Sequence, residues 1–133
     1  MRFAILPVTA AVVLGGCSMS QDMSATDSAV ADFHAKLNNG QFAAIAAAAG
    51  PEMKNGGIDF PTFIGKIHTK LGTFRSATRQ GFNDNINNGD HTFAARYASV
   101  YSTGPASENF VYRLNGGKPV LIGYHVESAA LLK

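Results

Sequence analysis

Apolar residues recur at intervals of three and four in the first half of this chain and at every second position in the second half. Val30, Phe33 and Leu37 mark one face of a helix that Thr26 or Ser24 caps, with Asp27 and Asp32 in its N-terminal half, where the helix dipole favours acids. Asn38-Asn39-Gly40 ends it. Phe42, Ile45, Ala46 and Ala49 line a second, short helix, which Gly50-Pro51 stops because glycine permits a left-handed cap and proline cannot continue. A third helix carries Phe60, Phe63, Ile64, Ile67 and Leu71 on one stripe, with Asp59 or Phe60 at its cap, Pro61 in its first turn and Gly72 closing it.

From Thr73 onward the period drops to two, the signature of strands. Phe74, Thr78 and Phe82 share one face of the first. After the turn Asn87-Asn88-Gly89-Asp90, the inward set of the second is Phe93, Ala95, Tyr97, Ser99 and Tyr101. A third strand near Asn109 to Leu114 joins a fourth, Val120 to Glu127, through Asn115-Gly116-Gly117-Lys118. Helices followed by a meander predict an α+β domain over residues 26–130, its N-terminal helices packed on a curved antiparallel sheet of about four strands.

Ahead of this domain, Arg2 precedes an apolar run from Phe3 to Leu14, shorter than the ~20 residues that span a bilayer, and the run ends at Leu14-Gly15-Gly16-Cys17. This segment resembles the lipobox of bacterial lipoproteins. The resemblance implies a signal peptide at 1–16, cleavage before Cys17, diacylglyceryl modification of that thiol, and a lipid anchor and tether at 17–25, with Ser18 to Ser24 as a polar spacer. Each buried acyl methylene contributes ~0.8 kcal/mol, so two or three chains hold a protein to the membrane permanently. Ser18 stands where enteric bacteria place an aspartate to retain lipoproteins at the inner membrane, which implies the outer membrane and a periplasm-facing domain.

Composition narrows the picture further. Loss of Arg2 with the leader lowers the net charge from +2 to about +1, which gives no support to nucleic-acid binding. Cys17 is the single cysteine, so no disulfide forms within the chain. Core packing alone holds the fold, and without tryptophan its aromatic volume comes from 9 Phe and 4 Tyr.

Two segments resemble the nuclear-transport-factor-two-like, or ketosteroid-isomerase-like, fold family. Phe33-His34-Ala35-Lys36-Leu37-Asn38-Asn39-Gly40-Gln41-Phe42 is similar to its opening helix, turn and second helix. Phe110-Val111-Tyr112-Arg113-Leu114-Asn115-Gly116-Gly117-Lys118, running into Leu121-Ile122-Gly123-Tyr124-His125-Val126, is similar to the final hairpin of its envelope members. The resemblance covers about residues 26–128, and Lys118-Pro119 stands where those members often carry tryptophan. It implies a conical pocket between helices and sheet, for which Phe33, Phe63, Tyr97, Tyr112 and Tyr124 are the lining candidates.

General acid–base chemistry needs a carboxylate or similar group in an apolar wall. Asp59, Asp84, Asp90, Glu108 and Glu127 are expected instead in caps, turns and strand ends, so no catalytic residue is assigned. His34, His68, His91 and His125 show neither an HExxH pair nor a short ligand spacing, so neither a metal site nor a cofactor is expected. If Phe74, Tyr97, Tyr112 and Tyr124 face the core, alternation sends Arg75, Arg79, Arg96, Arg113 and His125 to the opposite face, where guanidinium groups could grip phosphate or carboxylate. The reading is a lipid-anchored binding or interaction module for an envelope protein or an anionic envelope component. The alternative is a small-ligand carrier or enzyme using the cone. A homodimer through the sheet face is a third option, with buried arginines then needing acidic partners.

Overall fold

The computed structural model describes residues 17–55, 57–116 and 118–133. The segment read as a signal peptide, residues 1–16, lies outside the described residues, as do the turn residue Gly117 and the side chains of Cys17 and Ser18. Helices α1 (Cys17–Asn38), α2 (Phe42–Ala48) and α3 (Phe60–Leu71) precede strands β1 (Phe74–Asn87), β2 (Asp90–Tyr101), β3 (Gly104–Arg113) and β4 (Val120–Glu127). Single 3-10 turns at Pro51–Met53 and Ala129–Leu132 complete the chain. The strands form one antiparallel sheet in the order β1-β2-β3-β4, which curves without closing, and the helices pack on it as the α+β pattern predicts.

Local signals account for most of these boundaries. Asp59 caps α3 by accepting from the Thr62 amide at 3.3 Å, and Gly72, at φ 79°, ends it. Asn88 and Gly89 both take positive φ, 51° and 79°, the requirement of the two-residue turn that joins β1 to β2. None of the described helices is long and apolar enough to cross a membrane.

Two boundaries differ from the sequence reading. Ser18–Ser24, expected as a tether, is the start of α1, which runs unbroken for 22 residues. Neither glycine nor proline interrupts it, and Met23 packs on the core while Thr26 is fully buried, so the helix continues upstream of Val30. Strand β3 begins at Gly104, not near Asn109, because Pro105 and the polar residues after it masked a strand that pairs with β2 from Tyr101↔Gly104 onward.

The helix α1 lies antiparallel to β1. At its C-terminus the Asn38 side chain donates to the Phe74 carbonyl at 3.0 Å and accepts from the Phe74 amide at 2.8 Å, closing the helix onto the first strand. Midway, Arg79 pairs with Asp27, and further up Asp22 approaches His91 at 3.6 Å. Between helices and sheet the core is an aromatic stack centred on Phe110, with Phe33 and Tyr124 each at 5.0 Å, Tyr97 at 5.8 Å and Tyr112 at 6.2 Å.

Candidate functional site

The polar centre of the molecule is Glu108, on β3, with 0% of its surface exposed. Its alternation with Phe110 and Tyr112 puts it on the helix side, where sequence reading expected a solvated strand end. One carboxylate oxygen accepts from His34 Nε2–H of α1 at 2.8 Å and from the Ser99 hydroxyl; the other accepts from the hydroxyls of Tyr101, at 3.0 Å, and Tyr124. Burial opposes ionisation, but the His34 hydrogen bond and charge, with Ser99 and Tyr124, hold the Glu108 carboxyl below its ordinary range. Tyr101 and Tyr124 are pushed upward, first by burial and then by the Glu108 charge, so both remain proton donors. His34 is itself 2% exposed, and the Phe74 ring lies flat on it, centroids 3.6 Å apart.

The chemical meaning of this cluster follows from its acceptor count. A carboxylate offers about four lone-pair sites, and here all are taken by protein donors. No lone pair is left to receive a substrate proton. The cluster ties α1 to β2, β3 and β4 across the core instead of presenting a base to a ligand.

The conical space itself is filled. Phe33, Tyr97 and Tyr112 are buried and Tyr124 nearly so, against Phe110 and each other, while Phe63 stacks on Phe60 of its own helix. What is left between α1, α2 and the sheet is a cavity of about 70 Å³ touching Phe33, Ile45, Tyr112 and Leu121. Small-molecule sites usually need roughly 300–1,000 Å³. A larger opening, about 690 Å³, is a solvent-facing groove between α1 and β1 with Asp27, His34, Phe74, Arg79 and Tyr97 on its walls.

The shared arginine face is only partly realised. β1 carries bulges between Phe74 and Ser76 and between Arg79 and Gly81, each advancing it by one residue against β2. Ala77, Arg79, Phe82 and Asp84 therefore pair opposite the inward residues Ser99, Tyr97, Ala95 and Phe93, and Thr78 turns outward with Ala98. Arg79 thus lies on the helix side, not on the outer face, and donates to Asp27, which also accepts from the Tyr97 hydroxyl at 2.6 Å. Burial works against it, but these two donors hold the Asp27 carboxyl below its usual range, while burial and Asp27 push the Tyr97 phenol up. Arg75 is exposed beside the first bulge. Arg113 does face outward, but donates to Glu52 and, at 3.0 Å, to Asp90; His125 pairs with Glu127 at 3.1 Å. Arg96 is exposed and makes no ion pair among the described residues.

Sequence reading also missed a junction of three elements. Asp22 of α1, Asp84 of β1 and His91 of β2 bring ligand-type atoms within 4.8 Å of one another, and the His91 ring serves both carboxylates. No local spacing connects residues 22, 84 and 91; only the antiparallel lie of α1 on the β1–β2 hairpin does. Comparison with known protein families, curated proteins and solved structures finds no match to this chain.

Proposed function

We propose that this chain is a lipid-anchored protein of the bacterial cell envelope, held through acylated Cys17 at the outer membrane and facing the periplasm, where it acts as a non-catalytic interaction module. The observation that carries the reading is the outer face of the sheet. Ala94, Ala98, Val111 and Gly123 make its middle nearly flat around the exposed Arg96, while the Pro51–Met53 turn meets the face at its Arg113 corner through Glu52. On the other face, rings fill the cone and protein donors saturate Glu108, which disfavours a pocket-based reaction. Helices that precede a four-stranded meander support the transport-factor-like resemblance.

The partner that suits this face is an envelope protein or anionic envelope component able to pair with the Arg96 guanidinium. A photo-crosslinker placed at Ala98 in living cells should give a discrete adduct that Arg96→Glu abolishes; an adduct unchanged by Arg96→Glu rejects this face as the working surface. The anchor is tested separately. Cys17→Ser should leave the precursor uncleaved and free of acyl mass, and normal processing with membrane retention rejects the lipoprotein reading.

The carrier alternative keeps one foothold, the groove between α1 and β1. A ligand seated there would lie on Phe74, so saturable binding lost in Phe74→Ala would favour it over the interaction module.

A further inference from the structure

The helix α1 begins at the anchor residue itself, and this decides how the domain meets its membrane. The helix is tied to the hairpin at three levels: Asn38 to Phe74, Asp27 to Arg79, and Asp22 to His91, which also holds Asp84. From Asp22 back to Cys17 the helix rises about 7.5 Å at 1.5 Å per residue. From Asp84 forward to Asn87 the strand advances about 10 Å at ~3.3 Å per residue. The Cys17 backbone therefore stands level with the β1–β2 turn.

That end exposes two large apolar side chains, Ile86 at 70% and Met19 at 47%, among the small polar residues Ser20, Asn85, Asn87, Asn88 and Asn115, which suit a headgroup layer and not the acyl interior. Its charges are spent internally: Asp22 and Asp84 share His91, and Asp90 accepts from Arg113 at 3.0 Å. The β3–β4 turn lies at the same end, since Asn115 accepts from the His91 amide at 2.8 Å and donates to the Gly89 carbonyl at 3.1 Å, and it brings the exposed Lys118. Exposed apolar residues scattered singly say little. Here two of them lie at the end of the molecule from which acyl chains on Cys17 would emerge.

We infer that this end is a membrane foot. Resting on the lipid-anchor reading, the inference adds a fixed orientation: Ile86 and Met19 sit in the headgroup layer of the bilayer, with Lys118 near lipid phosphates. A flexible spacer would let the domain float and tumble, whereas a helix starting at the anchor holds it upright. With α1 and β1 standing away from the bilayer, the Arg96 face is presented sideways to partners in the same membrane.

The chain contains no tryptophan, so a single introduced indole reports its own surroundings. Full-length Ile86→Trp and Val100→Trp chains, produced in a lipoprotein-processing bacterium and checked for acylation by mass, are reconstituted into phosphatidylethanolamine–phosphatidylglycerol vesicles. Ile86→Trp should emit to the blue and be quenched by lipids brominated on their acyl chains, while Val100→Trp, on the outer sheet face, should do neither. Because indole itself favours interfaces, a Met19→Trp reporter is read with and without Ile86→Asp, which should reduce its quenching. Equal water-like emission from both sites in an acylated protein overturns the foot and leaves the anchor standing. Absence of acyl mass on Cys17 overturns both. A blue shift that follows protein concentration and ignores brominated lipid assigns the end to a second copy and also overturns the proposal.

Discussion

Replacing Glu108 by alanine tests whether its cluster holds the core together. The substitution leaves the His34, Ser99, Tyr101 and Tyr124 donors facing a void at a position with 0% exposure. One buried unsatisfied group costs about 1–3 kcal/mol, and removing one partner of a buried ion pair costs about 3–5 kcal/mol. Hydroxyls can rotate toward one another, so the penalties do not add in full, and a loss of about 4 kcal/mol is expected. That is a large part of the 5–15 kcal/mol typical of a domain. With a urea slope near 2 kcal/mol per molar, the midpoint followed by tyrosine fluorescence should fall by about 2 M. Glu108→Gln keeps the shape and one acceptor oxygen, and its amide can donate to a tyrosine hydroxyl, so it should lose only about 2 kcal/mol. Pairing Glu108→Leu with His34→Leu should recover stability relative to either change alone, because no charge or donor of that pair is then stranded. A Glu108→Ala chain within about 1 kcal/mol of the parent would refute the reasoning, since no buried carboxylate with four partners is removed so cheaply.

Glu108 and Asp27 both lie below their unfolded values when folded, so the unfolded chain binds more protons in the acid range and stability rises with pH there. Their contribution is complete above the unfolded carboxyl range, about pH 4, and is lost as pH falls through the folded values; thermal midpoints of Glu108→Gln should show a shallower acid slope than the parent, and parallel slopes would contradict this. Gly72 sits at φ 79°, and a Cβ there would lie 2.0 Å from Ser102 Oγ, the acceptor of the Thr73 amide. Gly72→Ala should therefore cost about 2 kcal/mol in urea unfolding, and an unchanged midpoint would disprove the cap geometry. Arg96→Glu, by contrast, should stay within about 0.5 kcal/mol of the parent by the same measurement, so that its effect on crosslinking reports binding and not unfolding.

The helices, the hairpin turn and the α+β class were legible in the sequence because each rests on signals within a few residues. Asp59, Pro61 and Gly72 bracket α3, and Asn88-Gly89 supplies the positive φ angles a tight turn needs. The tertiary structure decided the rest. Period-two reading sent Arg79 outward because it assumes an unbroken count, and the bulge between Phe74 and Ser76 shifts that count against β2 with no glycine or proline to mark it; only the second bulge, at Gly81, carries a residue-type signal. Glu108 read as solvated because charge usually is; what makes its burial tolerable is His34, 74 positions away, together with hydroxyls from two other strands. The N-terminal turns of α1 are polar enough to pass for a spacer, and their helicity comes from Met23 and Thr26 meeting the core and from Asp22 meeting His91. Local pattern records how a segment prefers to bend and which side it would bury, but the partner that neutralises a buried charge, or extends a helix past its own apolar stripe, is supplied only when distant parts of the chain come together.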